Sequence, residues 1–99
     1  MNKQALPSKY EIQTPQDLAH IIRVVKKSLE EGVLIESSYW PKGRVRLHLP
    51  SFKDIPANGP WPDYIEYYFE ELSTGHCFQL VCEIYHGHGG RWEICNCEP

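Results

Sequence analysis

The C-terminal part of the chain holds residue types that often bind a metal ion. Thiolate and imidazole groups are good zinc ligands, and four such residues fall close together: His86, His88, Cys95 and Cys97. Their spacing, His-Gly-His and Cys-Asn-Cys, lacks the Cys-x2-Cys pair that is typical of structural zinc sites. A hairpin in this region would also place His86 near its turn and Cys97 toward its far end. We therefore expect no metal and no other cofactor, and keep a small metal-binding or catalytic domain as the alternative.

A second chemistry to consider is nucleophilic catalysis by a cysteine. Cys77 directly follows His76, but neighbouring residues of a strand point to opposite faces, so this histidine is badly placed to act as its base. His48 can serve only if its strand lies beside that of Cys77, and no third group is evident to orient it. Cys82 belongs to an alternating apolar pattern and is predicted to lie in the core. Because no secretory signal is evident, we expect all four cysteines to remain thiols.

Glu66, Glu70 and Glu83 supply the paired carboxylates that general acid–base catalysis uses. Sugar hydrolases hold two carboxylates about 5–9 Å apart in a concave pocket, where unlike surroundings separate their pKa values. An exposed sheet face would surround all three with water and give them the same environment. We therefore expect a binding protein rather than an enzyme.

Trp40, Arg44 and Arg46 combine aromatic and guanidinium groups, as proteins that grip single-stranded nucleic acid do. The overall charge favours a different function. The chain has 13 acidic and 10 basic residues, a net charge of −3, whereas nucleic-acid binders are usually basic. The two arginines are also expected to lie across the sheet from acidic residues. Nucleic-acid binding is therefore a further alternative rather than the expected function.

Length and composition limit the architecture. The chain has 99 residues, 41% of them hydrophobic and 23% charged, which is typical of one globular domain. No apolar run approaches the ~20 residues that cross a bilayer, so we expect a soluble, cytoplasmic protein that does not bind membranes. Charge is distributed unevenly along the chain. Residues 1–62 carry nine basic and six acidic side chains, whereas residues 63–99 carry one basic and seven acidic side chains.

One helix can be placed from its start and stop signals. Thr14 is a suitable N-cap, Pro15 follows at the first helical position, and Asp17 lies in the first turn. Apolar residues then recur at helical spacing as far as Leu29. Gly32 is predicted to end the helix.

Much of the remaining chain shows the period of two that is typical of strands. Five segments have it: residues 33–39, 44–49, 63–72, 76–86 and 91–95. The first two are predicted to form a hairpin and the last three an antiparallel meander. Residues 1–13 are predicted to be an extended or partly flexible arm. Residues 50–62 include four prolines and are predicted to form a long loop.

The alternation also predicts which residues pair. The third and fourth strands keep their apolar residues on one face if Phe69 lies opposite Phe78. The turn that follows must then contain an odd number of residues. For the fourth and fifth strands we favour a register that pairs Ile84 with Ile94, because the alternative would place two glutamates opposite each other.

These elements predict an α+β domain, in which an N-terminal helix packs on one face of a mainly antiparallel sheet of about five strands. One helix covers one side only, so the side away from it, here called the distal face, is expected to be exposed. Its predicted partner-binding residues are Tyr64, Glu66, Tyr68, Glu70, Glu83, Tyr85 and Glu93. Tyrosines are favoured in interfaces, and carboxylates steer basic partners. We expect this face to dock a basic protein, for example as an immunity-type antidote, with a homodimer as the alternative.

Overall fold

The computed structural model describes residues 6–37, 49–84 and 89–95. Its elements in chain order are β1 (Lys9–Ile12), α1 (Pro15–Glu30), β2 (Leu34–Glu36), a short 3-10 helix (Phe52–Asp54), β3 (Tyr64–Glu71), β4 (Cys77–Glu83) and β5 (Gly89–Cys95). In this part of the chain, α1 packs against a five-stranded antiparallel sheet with the order β1-β5-β4-β3-β2. The predicted α+β fold is therefore confirmed.

The ends of α1 follow from its sequence as predicted. The Thr14 hydroxyl accepts a hydrogen bond from the Asp17 backbone N–H, and the Asp17 carboxylate accepts one from the Thr14 N–H, both at 3.1 Å. Hydrogen bonds from the backbone N–H groups of Gln13 and Thr14 hold the pKa of Asp17 below its usual value. Gly32 follows the helix with a φ of +76°, a conformation that glycine adopts without strain. No helix among the described residues is long and apolar enough to cross a membrane.

The core lies between α1 and the sheet. Ile21, Ile22 and Val25 of α1 are completely buried. Trp92 of β5 is also completely buried, and its ring stacks on that of Phe78 with centroids 4.8 Å apart. The apolar side of α1 thus meets a layer of aromatic side chains on the sheet.

Residues 50–62 form the predicted loop, and its short helix completes the core. The Phe52 ring is fully buried and meets Tyr67 and Phe69 edge to face, at centroid distances of 5.1 and 5.0 Å. The Tyr67 hydroxyl donates a hydrogen bond to the Pro50 carbonyl at 2.6 Å. The loop therefore covers β3 on the same side of the sheet as α1.

The predicted register of β3 and β4 is confirmed. Phe69 lies opposite Phe78 as predicted, and the same register pairs Tyr67 with Leu80 and Ile65 with Cys82. All six residues are buried. The intervening residues of both strands consequently belong to the distal face.

The predicted register of β4 and β5 is wrong, although the turn does contain an odd number of residues. We predicted that Ile84 pairs with Ile94, but Ile84 follows the end of β4, and Gly90 lies opposite Cys82. A Cβ atom at Gly90 would collide with the carbonyl oxygen of Val81 and with the Cα of Cys82. Only glycine lets the two backbones come so close, so Gly90 explains the observed register.

The predicted arm at residues 1–13 contains an edge strand. In β1, Tyr10 pairs with Trp92 of β5. The Trp92 indole N–H also donates to the Pro7 carbonyl at 2.8 Å, which holds the segment just before β1. This strand is only four residues long, too short for its alternation to stand out in the sequence.

Strand β2 is shorter than the predicted segment 33–39, and it pairs with β3. Its predicted hairpin partner, residues 44–49, lies outside the described residues except for Leu49. The fifth strand of the described sheet is therefore β1 rather than this segment.

Candidate protein-binding face

The distal face is formed by alternate residues of the strands. Their registers arrange most of them in four rows across β3, β4, β5 and β1: Glu70, Cys77 and Cys95; Tyr68, Gln79, Glu93 and Lys9; Glu66, Val81, Arg91 and Glu11; Tyr64, Glu83 and Gly89. Five of these side chains are carboxylates and two are basic. Carboxylates therefore outnumber basic groups in these rows.

Glu66 belongs to this face but is only 2% exposed, and Tyr68 is 3% exposed. The expectation that both are exposed is wrong. The Tyr68 hydroxyl donates to one carboxylate oxygen of Glu66 at 2.5 Å, and the Tyr64 hydroxyl donates to the other at 3.1 Å. A buried carboxylate needs such donors, and tyrosines two residues away on the same strand can supply them. Strand alternation predicts the face on which a residue lies but not its depth, so the burial could not be foreseen.

Glu93 lies in a hydrogen-bonded network with its neighbours on the face. The Gln79 side-chain amide donates to its carboxylate at 2.8 Å, and the Arg91 guanidinium donates to the same oxygen at 2.5 Å. The bond from Arg91 holds the pKa of Glu93 below its usual value, and the same bond raises the pKa of Arg91. A partner would therefore meet Glu93 as part of an ion pair.

Tyr64, Glu70 and Glu83 are each half-buried and thus partly accessible. Tyr64 lies opposite Glu83, in the register that the Phe69–Phe78 pair sets. Glu70 lies opposite Ile35 of β2, which is 44% exposed, so an apolar side chain borders this carboxylate. Tyr85, also predicted to bind the partner, lies outside the described residues.

A polar cleft of about 400 Å³ opens where β5 begins. Glu11, Tyr64, Glu83 and Arg91 are among its lining side chains, and the Gly89–Gly90 backbone lines it too. Gly89 has a φ of +77°, and a Cβ atom there would collide with a carbonyl oxygen of β1. Paired glycines at the start of a strand are the sequence signal that could have indicated such a close approach of backbones.

The cysteines of the described residues are in different states. Cys82 lies in the core as predicted, and burial raises the pKa of its thiol to about 11. Cys82 and Cys95 are thiols, whereas Cys77 is disulfide-bonded. The expectation that every cysteine remains a thiol is therefore wrong. It rested on the expected compartment alone.

The alternative sites fall largely outside the described residues. This is the case for His86, His88 and Cys97 of the metal-site candidates, and for Trp40, Arg44 and Arg46 of the nucleic-acid candidates. Within residues 6–37, 49–84 and 89–95, no three His, Cys, Asp or Glu side chains are grouped to hold a metal ion. Cys77 cannot act as a nucleophile while its sulfur is in a disulfide.

Comparison with known proteins gives no match. No family model fits the sequence, and no curated protein or solved structure is significantly similar to the chain. The function must therefore be inferred from the geometry and charge of the distal face.

Proposed function

We propose that the chain is a non-enzymatic binding module that docks a basic protein on its distal face. The observation that carries this proposal is the excess of carboxylates in the four rows. Both basic side chains already lie beside a carboxylate, since Lys9 is 3.9 Å from Glu11 and Arg91 contacts Glu93. Glu66, Glu70 and Glu83 bring the number of carboxylates in the rows to five, against two basic groups. A surface with this charge attracts a basic protein and disfavours nucleic acid.

The three remaining carboxylates differ in the part they would take. Glu66 is buried between the Tyr64 and Tyr68 hydroxyls, so it would position these rings and contribute charge without touching the partner. Glu70 and Glu83 are partly exposed and lie in the first and last rows. Glu70 lies six positions after Tyr64 along β3, or about 20 Å at ~3.3 Å per step. Contacts at both ends would let a partner cover most of the length of β3.

The cleft beside Glu83 supports a more specific proposal, that it receives a lysine or arginine side chain of the partner. Its volume of about 400 Å³ is ample for such a side chain. Glu11 and Glu83 would accept hydrogen bonds from the cation, and charge-assisted hydrogen bonds are the strong ones. The Tyr64 ring also lines the cleft and offers a surface for a cation–π contact.

An immunity-type antidote that neutralises a basic nuclease toxin in the cytoplasm has the required chemistry, and we propose this role and this compartment. In the cytoplasm, cysteine pairs are usually redox-active rather than permanent. A homodimer through the distal face is disfavoured, because two copies of the same negative face repel each other.

Charge reversal tests the proposal. Glu70→Lys with Glu83→Lys places positive charges at both ends of the distal face. Glu30→Lys with Glu31→Lys makes the same change of charge on exposed residues at the end of α1, and serves as the matched control. Wild type and both variants are immobilised to capture proteins from the source-cell lysate. The captured protein is identified by mass spectrometry, and its affinity is measured by biolayer interferometry.

We expect wild type and the α1 control to capture the same basic protein with similar affinity. The distal-face variant should bind it at least roughly tenfold more weakly, mainly through slower association, and added salt should reduce the difference. Circular dichroism checks that each variant is folded. Equal affinity of the folded distal-face variant, or an acidic captured protein, would contradict the proposal.

A further inference from the structure

Strand β1 forms one edge of the sheet and carries charges of both signs. Of the residues in the described ranges, only those of β5 pair with it, and the outer side of an edge strand offers backbone N–H and C=O groups to a further strand. Lys9 and Glu11 lie on the distal face, with side chains that are 65% and 59% exposed. Tyr10, between them, points to the other side of the sheet, where its hydroxyl donates to Asp17 at 3.4 Å. The edge therefore has a charged side and an aromatic side.

We propose that β1 pairs antiparallel with β1 of a second copy of the chain, about a two-fold axis at Tyr10. This register places Lys9 of each copy opposite Glu11 of the other. Opposite charges at directly facing positions stabilise a strand pair, whereas an axis at Lys9 or at Glu11 would place like charges opposite each other. A two-fold interface must be complementary to itself, and β1 meets this requirement in the register centred on Tyr10.

The neighbouring strand β5 extends the charge complementarity. Glu93 lies beside Lys9 in one row of the distal face, and Arg91 lies beside Glu11 in the next. Across the proposed interface each row therefore continues from Glu93 and Lys9 to Glu11 and Arg91 of the second copy. Negative and positive charges alternate along the row, on strands about 4.8 Å apart. This alternation favours a second copy of the chain over a partner strand of uniform charge.

The negative charges of the distal face do not prevent this dimer. Glu70 and Glu83 lie on β3 and β4, away from the β1 edge. In the dimer the two β4 strands are separated by five strand spacings, or about 24 Å. This distance exceeds the Debye length of about 8 Å at physiological ionic strength. The two distal faces would lie on the same side of one continuous sheet, with Glu70 and Glu83 of both copies still accessible to basic partners.

Sedimentation equilibrium of the full chain tests the proposal, with and without reductant so that a disulfide-linked dimer is recognised. Lys9→Glu and Glu11→Lys each place like charges opposite each other across the two-fold axis. Lys27→Glu and Glu30→Lys make the same changes at exposed residues of α1 and are the matched controls. A chain that combines Lys9→Glu with Glu11→Lys restores the opposite charges. Circular dichroism checks that each variant is folded.

We expect wild type to form a dimer that does not depend on reductant. Each single reversal in β1 should raise the Kd of the dimer at least roughly tenfold, whereas the α1 controls and the doubly reversed chain should dimerise as wild type does. An equimolar mixture of the Lys9→Glu and Glu11→Lys chains should form heterodimers, because every facing pair in β1 then has opposite signs.

The proposal is overturned if wild type is monomeric at concentrations up to about 1 mM, or if its dimer is lost when reductant is added. In the first case a strand of a different protein is the remaining occupant for this edge. The proposal is also overturned if the folded single variants dimerise as wild type does, or if their mixture forms no heterodimer. Because wild type alone can give the first two results, the test does not depend on the folding of the variants.

Discussion

The buried carboxylate of the distal face provides a sharp test of how this face is built. Tyr68→Phe removes one hydroxyl, which donates to Glu66 at 2.5 Å in a site where both residues are at most 3% exposed. A hydrogen bond to a charged group contributes roughly 1.5–3 kcal/mol. We therefore expect the free energy of unfolding to fall by about 2 kcal/mol. For a domain of 99 residues, this lowers Tm by about 8 °C or more.

Tyr64→Phe is the matched control, because it removes a hydroxyl that donates to the same carboxylate. Its hydrogen bond is longer, 3.1 Å, and Tyr64 is half-buried, so water can replace it. We expect this variant to lose less than ~1 kcal/mol. Urea unfolding at constant m-value measures both losses. In a Glu66→Gln background, the loss caused by Tyr68→Phe should shrink, because the charged acceptor is gone.

A loss in Tyr68→Phe no larger than that in Tyr64→Phe would refute this account of the distal face. So would an undiminished loss in the Glu66→Gln background, because the Tyr68 hydroxyl would then stabilise the chain through some other contact.

Three further predictions concern the parts of the fold that support the face. Gly90→Ala places a Cβ atom against the β4 backbone, so we expect the free energy of unfolding to fall by about 3 kcal/mol or more. Gly75→Ala is the control, because its Cβ atom would meet open space and should cost only about 1 kcal/mol through the positive φ. Equal losses in urea unfolding would count against the role of Gly90 in the register. Phe52→Ala removes a fully buried ring and should lower the free energy of unfolding by about 3–5 kcal/mol. Leu72 is 54% exposed, so Leu72→Ala should cost less than ~0.5 kcal/mol. Similar thermal stabilities of the two variants would show that the loop does not complete the core. Because the pKa of Asp17 is lowered in the folded chain, its stabilising contribution is complete above the unfolded pKa of about 3.9 and is lost as pH falls through the lower folded value. Asp17→Asn should therefore reduce the loss of stability below about pH 4, and an unchanged acid-unfolding curve would be the contrary result.

The parts of the fold that the sequence predicted are those set by neighbouring residues. The helix start depends on Thr14, Pro15 and Asp17, which act within one turn, and capping of this kind is readable from spacing alone. The β3–β4 register is similarly local, because a short turn and two alternating apolar patterns leave one arrangement with Phe69 opposite Phe78.

The errors arose where distant backbones or side chains decide the outcome. The β4–β5 register depends on Gly90 fitting against Val81, a contact that no pairwise preference between side chains reveals. Strand β1 depends on β5, the last strand in the chain, and on the bond from Trp92 to the Pro7 carbonyl. Residue order within a strand carries little information about such long-range pairing.

For the candidate site, the sequence predicted which face of the sheet a residue lies on but not how deeply it is buried. Alternation correctly assigned Tyr64, Glu70 and Glu83 to one face of the sheet. The depth of Glu66 could not be predicted, because it depends on the surrounding tertiary structure rather than on its strand. As a result, the proposed contact surface now consists of partly exposed carboxylates around a buried carboxylate that two tyrosine hydroxyls hold.

The most direct test of the proposed function is to locate the bound partner on the chain. The ¹⁵N-labelled protein is titrated with its captured basic partner, and amide chemical-shift changes are mapped onto the sheet and α1. We predict that the largest changes fall on β3, β4 and β5 and around the cleft at Gly89, and that they are lost with Glu70→Lys and Glu83→Lys. Changes concentrated on α1, or unaffected by this charge reversal, would contradict docking on the distal face.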